Sequence, residues 1–277
     1  MLITLPNADF SNVGLGKVTR LLHGMPSEGL VGLYLITDGD DGSTLTSLPD
    51  YSGRGNDATL RANWLGPKKR SYGYEVDNNN GTCFQTAIPE NPAGRQRSYI
   101  IAGADTLPGS EESVYNNWMG ASANVGMTLP ADYSSNAPSL TKNTRGDSGA
   151  PYNQLFDNGG DLIGTTVLSF GYDGGYGDPQ ITAHSIDGVN GTASALCRNG
   201  THRQATNAAL SAFYDGVTNR GNFEFGPWAH GSQRSVNPTI AHTYAVAVYD
   251  KVLTAEEKAS YIAHMEAILA ARGIVFP

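Results

Sequence analysis

The sequence predicts an all-β fold: a jelly-roll sandwich of two antiparallel sheets, with an extended arm in front and one helix at the C-terminal end. Three observations carry this expectation. Glycine is abundant, 34 of 277 residues, while only 16% of residues are charged. That balance suits short strands joined by many turns, where glycine takes positive φ without steric cost. Short apolar, β-prone runs recur along the chain, several bounded by Asn-Gly or Asp-Gly. A single helical hydrophobic period is clear, and it lies at the end. The length is enough for one large domain with its own core.

Residues 1–28 read as a docking arm. Leu5, Phe10, Val13 and Leu15 are apolar but separated by glycine and polar residues, so the segment cannot bury itself and must lie on the domain or on a partner. The jelly-roll domain is expected over 29–277. Its first strand, Leu30 to Thr37, ends in Asp38-Gly39-Asp40-Asp41-Gly42, a strong turn signal. Further strands are expected at Thr82 to Thr86, Ser98 to Gly103, Asp161 to Phe170, Gln180 to Ile186, Ala193 to Arg198, Ala208 to Tyr214, Asn222 to Gly226 and His242 to Tyr249. Asn199-Gly200 and Asp215-Gly216 have the form of type I′ hairpin turns. Residues 108–157 are rich in Ser, Asn, Gly, Pro and Tyr with little periodicity, and 171–179 are Gly-rich. Both read as long loop insertions over one face of the sandwich, and loops of that length are usually functional or disordered. At the C-terminal end Thr254 and Glu257 form a Thr-x-x-Glu capping box, Tyr261, Ile262, Met265, Ile268 and Leu269 follow on one helical face, and Gly273 supplies a stop.

Composition narrows the function. The formal net charge is −8, so the chain gains little from phosphate backbones and nucleic-acid binding is not expected. The one compact basic run, Lys68-Lys69-Arg70, reads as a solvated loop. No run approaches the ~20 apolar residues of a membrane span, and the first residues lack the basic start and apolar stretch of a signal peptide. Synthesis and assembly in a cytoplasm are therefore expected. Two cysteines, Cys83 and Cys197, form neither a disulfide framework nor a metal signature; buried thiols are the default, and one bridge between them stays open.

Two segments carry a family resemblance. The first runs from Leu33-Tyr34-Leu35 through the Asp38 turn to Asp50-Tyr51-Ser52-Gly53-Arg54-Gly55-Asn56-Asp57-Ala58-Thr59-Leu60. The second is Ala245-Val246-Ala247-Val248-Tyr249-Asp250-Lys251-Val252-Leu253-Thr254-Ala255-Glu256-Glu257. The chain resembles concanavalin A-like, laminin G-like domains, whose members open on an apolar strand, an acidic-Gly loop and an Asp-x-Ser-Gly-x-Gly-Asn run, and close on a Tyr-Asp-x-x-Leu-Thr-x-x-Glu strand and helix. Order and spacing agree over roughly Gly29 to Ile268, except in the middle third. The resemblance implies the jelly roll, but this fold hosts many unrelated tasks. More softly, Leu5 to Ser11 with Gly14 to Val18 is similar to the start of tailed-bacteriophage virion proteins. That similarity implies a display domain attached to a particle through its arm.

Each reactive-looking motif has a plainer account. Gly146-Asp147-Ser148-Gly149-Ala150-Pro151 matches the nucleophile segment of chymotrypsin-like proteases at this point alone. The one histidine before it, His23, lies in the arm, so the base that such a serine needs is missing from its place. Arg145-Gly146-Asp147 is too short to mean adhesion. The Glu-x-Asp-x-x-Glu strand of jelly-roll glycanases is not found; Glu111 and Glu112 are adjacent and would point to opposite faces of a strand. No catalytic residue and no cofactor is assigned. Ca²⁺ alone has oxygen donors at hand, at Asp38, Asp40 and Asp41 and at Asp173 and Asp178, but the first run misses the EF-hand register and ordinary turn chemistry accounts for both. The histidines form no metal-binding pair at helical spacing, and His184 and His242 fall in strand-like runs.

Loop aromatics are the candidate ligand site: Trp118, Tyr133, Tyr152, Tyr172 and Tyr176, with Asp173 and Asp178 to take hydroxyl groups. Sugar rings stack their C–H faces on aromatics, while Tyr is also common at subunit contacts. The expectation is a non-catalytic phage virion protein, a tail or head appendage or a decoration protein. Its lectin-like domain would bind host-surface glycan, its arm would dock on other virion proteins, and it would form a homo-oligomer. The alternatives are a polysaccharide-degrading or esterase enzyme on the same fold, and an architectural capsid or tail component without ligand.

Overall fold

The computed structural model describes residues 25–36, 39–61, 66–77, 84–89, 93–105, 139–143, 150–154, 178–206, 208, 211, 222–225 and 240–277. Eight strands form one antiparallel sheet: β1 (Leu30–Leu35), β4 (Lys68–Lys69), β5 (Tyr74–Asp77), β7 (Gln96–Asp105), β10 (Gln180–Asp187), β11 (Thr192–Cys197), β12 (His202–Thr206) and β14 (Ile240–Tyr249). Four more form a second sheet: β2 (Ser47–Leu48), β3 (Ala58–Leu60), β6 (Phe84–Pro89) and β13 (Asn222–Phe225). Strands β8 (Ser139–Asn143) and β9 (Ala150–Gln154) pair with each other.

In the large sheet the spatial order is β12-β11-β10-β7-β14, and the far side of β14 is shared. Its first residues pair with β5, from Ile240↔Asp77 to Thr243↔Tyr74, and its later ones with β1, from Ala245↔Leu35 to Tyr249↔Leu30. β4 lies beyond β5.

The alternation of side chains gives this sheet two buried faces. Tyr34, Tyr99, Ile101, Ile186, Ala195, Val246 and Val248 point inward to meet Phe84, Ile88, Phe223 and Phe225 of the small sheet. The Tyr99 and Phe223 rings stack at 5.1 Å, and Tyr34 meets Phe225 at 4.8 Å. Such aromatic contacts add to the area they bury. Arg97, also buried, ties the two sheets by donating to the Pro89 carbonyl. On the outer face Leu33, Leu35, Ile100, Ala102, Ile181, Ala183, Ala245, Ala247 and Tyr249 form a second core with the buried side of helix α1 (Ala255–Ala270), which packs on β10, β7 and β11.

The helix follows its sequence signals. The Thr254 hydroxyl accepts from the Glu257 amide at 3.1 Å and the Glu257 carboxylate accepts from the Thr254 amide at 2.9 Å, completing the capping box. Tyr261, Ile262, Met265 and Leu269 are buried. At the far end Gly273 has φ 87°, the Ile274 amide reaches the Leu269 carbonyl, and both side chains join the outer core. This is the Schellman arrangement. The link from β14 to α1 is pinned to the sheet: the Leu253 amide donates to the hydroxyls of Ser98 and Ser185, neighbours across β7 and β10.

The sandwich and its C-terminal helix follow the sequence expectation, with four local corrections. Ala208 to Tyr214 was expected as a strand, but Ala208 and Ser211, its described residues, are helical. The run is Ala-rich, and Ala loses no side-chain entropy in a helix. Asn199-Gly200 does join β11 to β12, but not as a type I′ turn. Only Gly200 has positive φ, the Gly200 amide bonds the Cys197 carbonyl, and the Cys197 amide bonds the Thr201 carbonyl. That is a type I turn closed by a glycine bulge. The 108–157 stretch, expected as loop, contains the β8–β9 hairpin. Lys68-Lys69-Arg70, expected as a solvated loop, begins with β4, and Lys69 is 2% exposed opposite Tyr74, its amine turned to the Arg70 carbonyl. A lysine can bury its stem when its amine finds an acceptor. The expected strand at Asp161 to Phe170 and the Asp215-Gly216 turn lie outside the described residues.

Candidate functional site

The residues behind the family resemblance serve the scaffold. The Asp50 carboxylate accepts from the Leu33, Ser52 and Asn56 amides at 2.8–3.0 Å and from the Ser52 hydroxyl at 2.8 Å. Asp57 accepts from the Asp50 amide, the Asn56 side-chain amide donates to the Val31 carbonyl, and the buried Tyr34 hydroxyl donates to the Asn56 carbonyl. The Asp-x-Ser-Gly-x-Gly-Asn run is thus a loop stitched to β1, with its polar groups already engaged.

Two reactive-looking pairs are likewise internal. The Lys258 amine donates to the Ser194 hydroxyl at 2.6 Å, with Lys258 only 1% exposed. Burial pushes the Lys258 amine down to about 8, against a smaller opposing pull from Glu257. The pair is sealed between α1 and β11, where no substrate reaches it. His184 lies beside Thr182 on β10, and burial, helped by the Lys258 charge, holds its imidazole neutral, with its pKa pushed down to about 3.

Two of the long connections, 106–179 and 226–239, meet the large sheet at one end. β5 ends there at Asp77 and β7 at Asp105; β10 begins there at Gln180 and β14 at Ile240. Gln180 pairs with Gly103. The segment 106–179 therefore leaves and rejoins the sheet between two adjacent strands, and 226–239 rejoins it at the same rim. Among the sequence-predicted ligand residues, Tyr152 sits on β9 opposite Thr141, and Asp178 is half-buried just before β10. Trp118, Tyr133, Tyr172, Asp173 and Tyr176 lie outside the described residues, as do the arm residues Leu5, Phe10, Val13 and Leu15, along with Ser148, Glu111, Glu112 and Cys83. Cys197 is buried in the inner core. Asp40 and Asp41 are exposed in their turn, and no group of three metal-binding side chains occurs among the described residues.

Beside that rim, on the outer face, is a patch that sequence reasoning missed. Arg70 and Glu75 form a two-point ion pair at 2.7 and 3.1 Å. His242, opposite Glu75 on β14, holds its Nε2 3.9 Å from the same carboxylate. The His242 ring stacks on Tyr244, and Tyr72 meets Tyr244 edge-on at 5.8 Å. Tyr72 is 43% exposed. It stands at the tip of the β4–β5 turn, whose Gly73 (φ 74°) passes so near β14 that an added Cβ would lie 2.3 Å from the Thr243 carbonyl oxygen. The sequence signal was Tyr72 just before an obligatory glycine, two residues after the basic run Lys68-Lys69-Arg70.

No protein-family model matches the chain, and no curated protein sequence matches it. Solved structures share its fold. Trypanosoma rangeli sialidase is similar over 88% of this chain with a TM-score of 0.51 and 14% identity. A binding domain of botulinum neurotoxin serotype D/C is similar over 86% with a TM-score of 0.56 and 10% identity, and the receptor binding domain of botulinum neurotoxin D over 86% with a TM-score of 0.53 and 8% identity. The chain spans about a third of the sialidase (34%) and about half of each toxin domain (52% and 53%). These likenesses show the β-sandwich fold.

Proposed function

We propose that this protein is a non-catalytic structural component of a bacteriophage virion, a tail or head appendage or a decoration protein, whose lectin-like sandwich binds host-surface glycan. The observation that carries the reading is the uneven sheet: a core buried on both faces, with long aromatic-bearing connections anchored at one rim. A rigid scaffold presenting variable loops is how binding proteins commonly place recognition residues. The neighbours support the same reading, since one is a sialidase and another a receptor binding domain. The N-terminal segment supports the virion context, with Leu5, Phe10, Val13 and Leu15 as its docking residues and homo-oligomerisation expected from the symmetry of a particle. Trp118, Tyr133, Tyr152, Tyr172 and Tyr176, with Asp173 and Asp178, are the proposed glycan contacts.

Purified protein on a printed glycan panel tests the ligand. Retention of host-type glycans without release of new reducing ends is expected; release that an Asp or Glu substitution abolishes would replace this reading with a depolymerase. Deletion of Met1 to Glu28 is expected to remove the protein from particles while the purified sandwich keeps its β spectrum. Normal incorporation of the deleted form would sink the docking role.

A further inference from the structure

We propose that the outer face at the β4–β5 turn carries a second saccharide subsite, one that takes an uncharged pyranose ring on Tyr72. The inference rests on the glycan-binding reading and adds to it a site apart from the loop residues.

Tyr72 is the one exposed large aromatic among the described residues, the other exposed large apolar side chains being Val189 and Val275. Its ring is held on both sides of the turn. Tyr244, 4% exposed, supports it edge-on, and Gly73 fixes the backbone against β14. An aromatic fixed before binding loses little entropy when a sugar ring lies on it. The C–H face of a pyranose supplies the apolar surface that such a ring takes up.

The polar groups set the ligand class. Glu75 engages the Nε and one terminal nitrogen of Arg70, so the pair is charge-compensated and offers no net positive charge to draw an anionic sugar. The same pairing holds the Glu75 carboxyl below the usual carboxylate range, with the charges of Arg70 and His242 adding to the effect against the opposing pull of burial. Glu75 is thus an ionised acceptor in a fixed orientation, 25% exposed. Hydroxyl groups donate to such an oxygen, whereas the carboxylate of a sialic or uronic acid is repelled by it. The subsite therefore selects neutral sugars. Its Glu75 and His242 lie within two residues of the ends of β5 and β14 at the rim where 106–179 and 226–239 meet the sheet. A chain of several sugars can span both sites, and linked contacts multiply affinity.

The test compares the intact protein with Tyr72→Ala, Tyr72→Phe and Glu75→Gln on a printed panel of neutral hexose oligosaccharides and of sialylated and uronate-bearing ones. Circular dichroism and Tm are run on each variant. The intact protein is expected to retain neutral oligosaccharides. Tyr72→Ala should weaken that binding by about tenfold, and Tyr72→Phe should preserve it, since stacking needs the ring and not the hydroxyl. Glu75→Gln should weaken neutral sugars several-fold. Equal binding by the intact protein and Tyr72→Ala overturns the subsite and leaves the glycan-binding reading standing. Retention of acidic sugars alone overturns the ligand class. Retention of no glycan by the intact protein overturns the reading and the subsite together.

Discussion

The two ends of the large sheet are finished differently. At one end the turns that are described are closed by residues whose chemistry admits few alternatives. Asp187 accepts from the Val189 and Asn190 amides and holds the β10–β11 turn, and Ser211 donates to the Gly188 and Val189 carbonyls. The Asp250 amide bonds the Gly29 carbonyl, and Lys251 bridges Glu28 and Glu257. At the other end β7 hands the chain to residues 106–179, which return at β10, residues 226–239 return at β14, and the Tyr72 patch flanks them. The contrast teaches a division of labour: one rim secures the fold, and the other is where length and aromatic side chains can vary while the sheet stays paired.

The largest expected effect tests which side of this division β13 belongs to. It is four residues long and lies between two segments outside the described residues, yet Phe223 is fully buried against Tyr99. Phe223→Ala should destabilise the protein by about 4 kcal/mol in denaturant titration. A loss under about 1 kcal/mol would move β13 from the core to the excursions.

The helix-backed face offers an effect of opposite sign. The Lys258 amine titrates near 8 in the folded protein and near 10.5 when unfolded. Between those values the unfolded chain binds the extra proton, so stability rises with pH across that window; below about 8 both states are charged and the cost of burial is constant. Lys258→Met should raise stability at neutral pH by on the order of 1–3 kcal/mol and flatten the rise between pH 8 and 10.5. Chemical denaturation at pH 7, 9 and 10.5 checks both.

The smallest effect sharpens the contrast most. Asp105 and Gln180 sit at neighbouring strand ends, roughly 5 Å apart in the hydrogen-bonding direction. Replacing residues 107–178 by a short Gly-containing turn should leave the sandwich folded, with stability changed by no more than about 1 kcal/mol. Loss of the cooperative unfolding transition would show that the excursion completes the core.

The same contrast explains what the sequence disclosed. Thr254 with Glu257 and the β-prone run of β14 act locally, so their residues report their structure directly. Lys69 and the Ala208 segment misled because burial against distant partners, and helix propensity inside a β pattern, outweigh local appearance. The Asp50 motif was legible as a family mark but not as a hydrogen-bonding hub, since its acceptors serve β1, 17 residues away from Asp50 at Leu33. The Tyr72 patch was hidden for a similar reason: Arg70 and Glu75 meet across a local hairpin, but His242 and Tyr244 join them only through the pairing of β5 with β14, far away in the chain.

β14 is bordered by β7 on one side and by β5 and β1 on the other, and it follows all the other described strands of this sheet in chain order. During translation β1 and β5 emerge with no partner in place on that flank, and β7 carries an unsatisfied edge until residues 240–249 leave the ribosome. Nascent chains therefore pass through an interval in which paired β7–β10 ribbons can find one another before they find their own closing strand. Folding yield should fall with ribosome crowding and recover when chaperones hold the incomplete sheet.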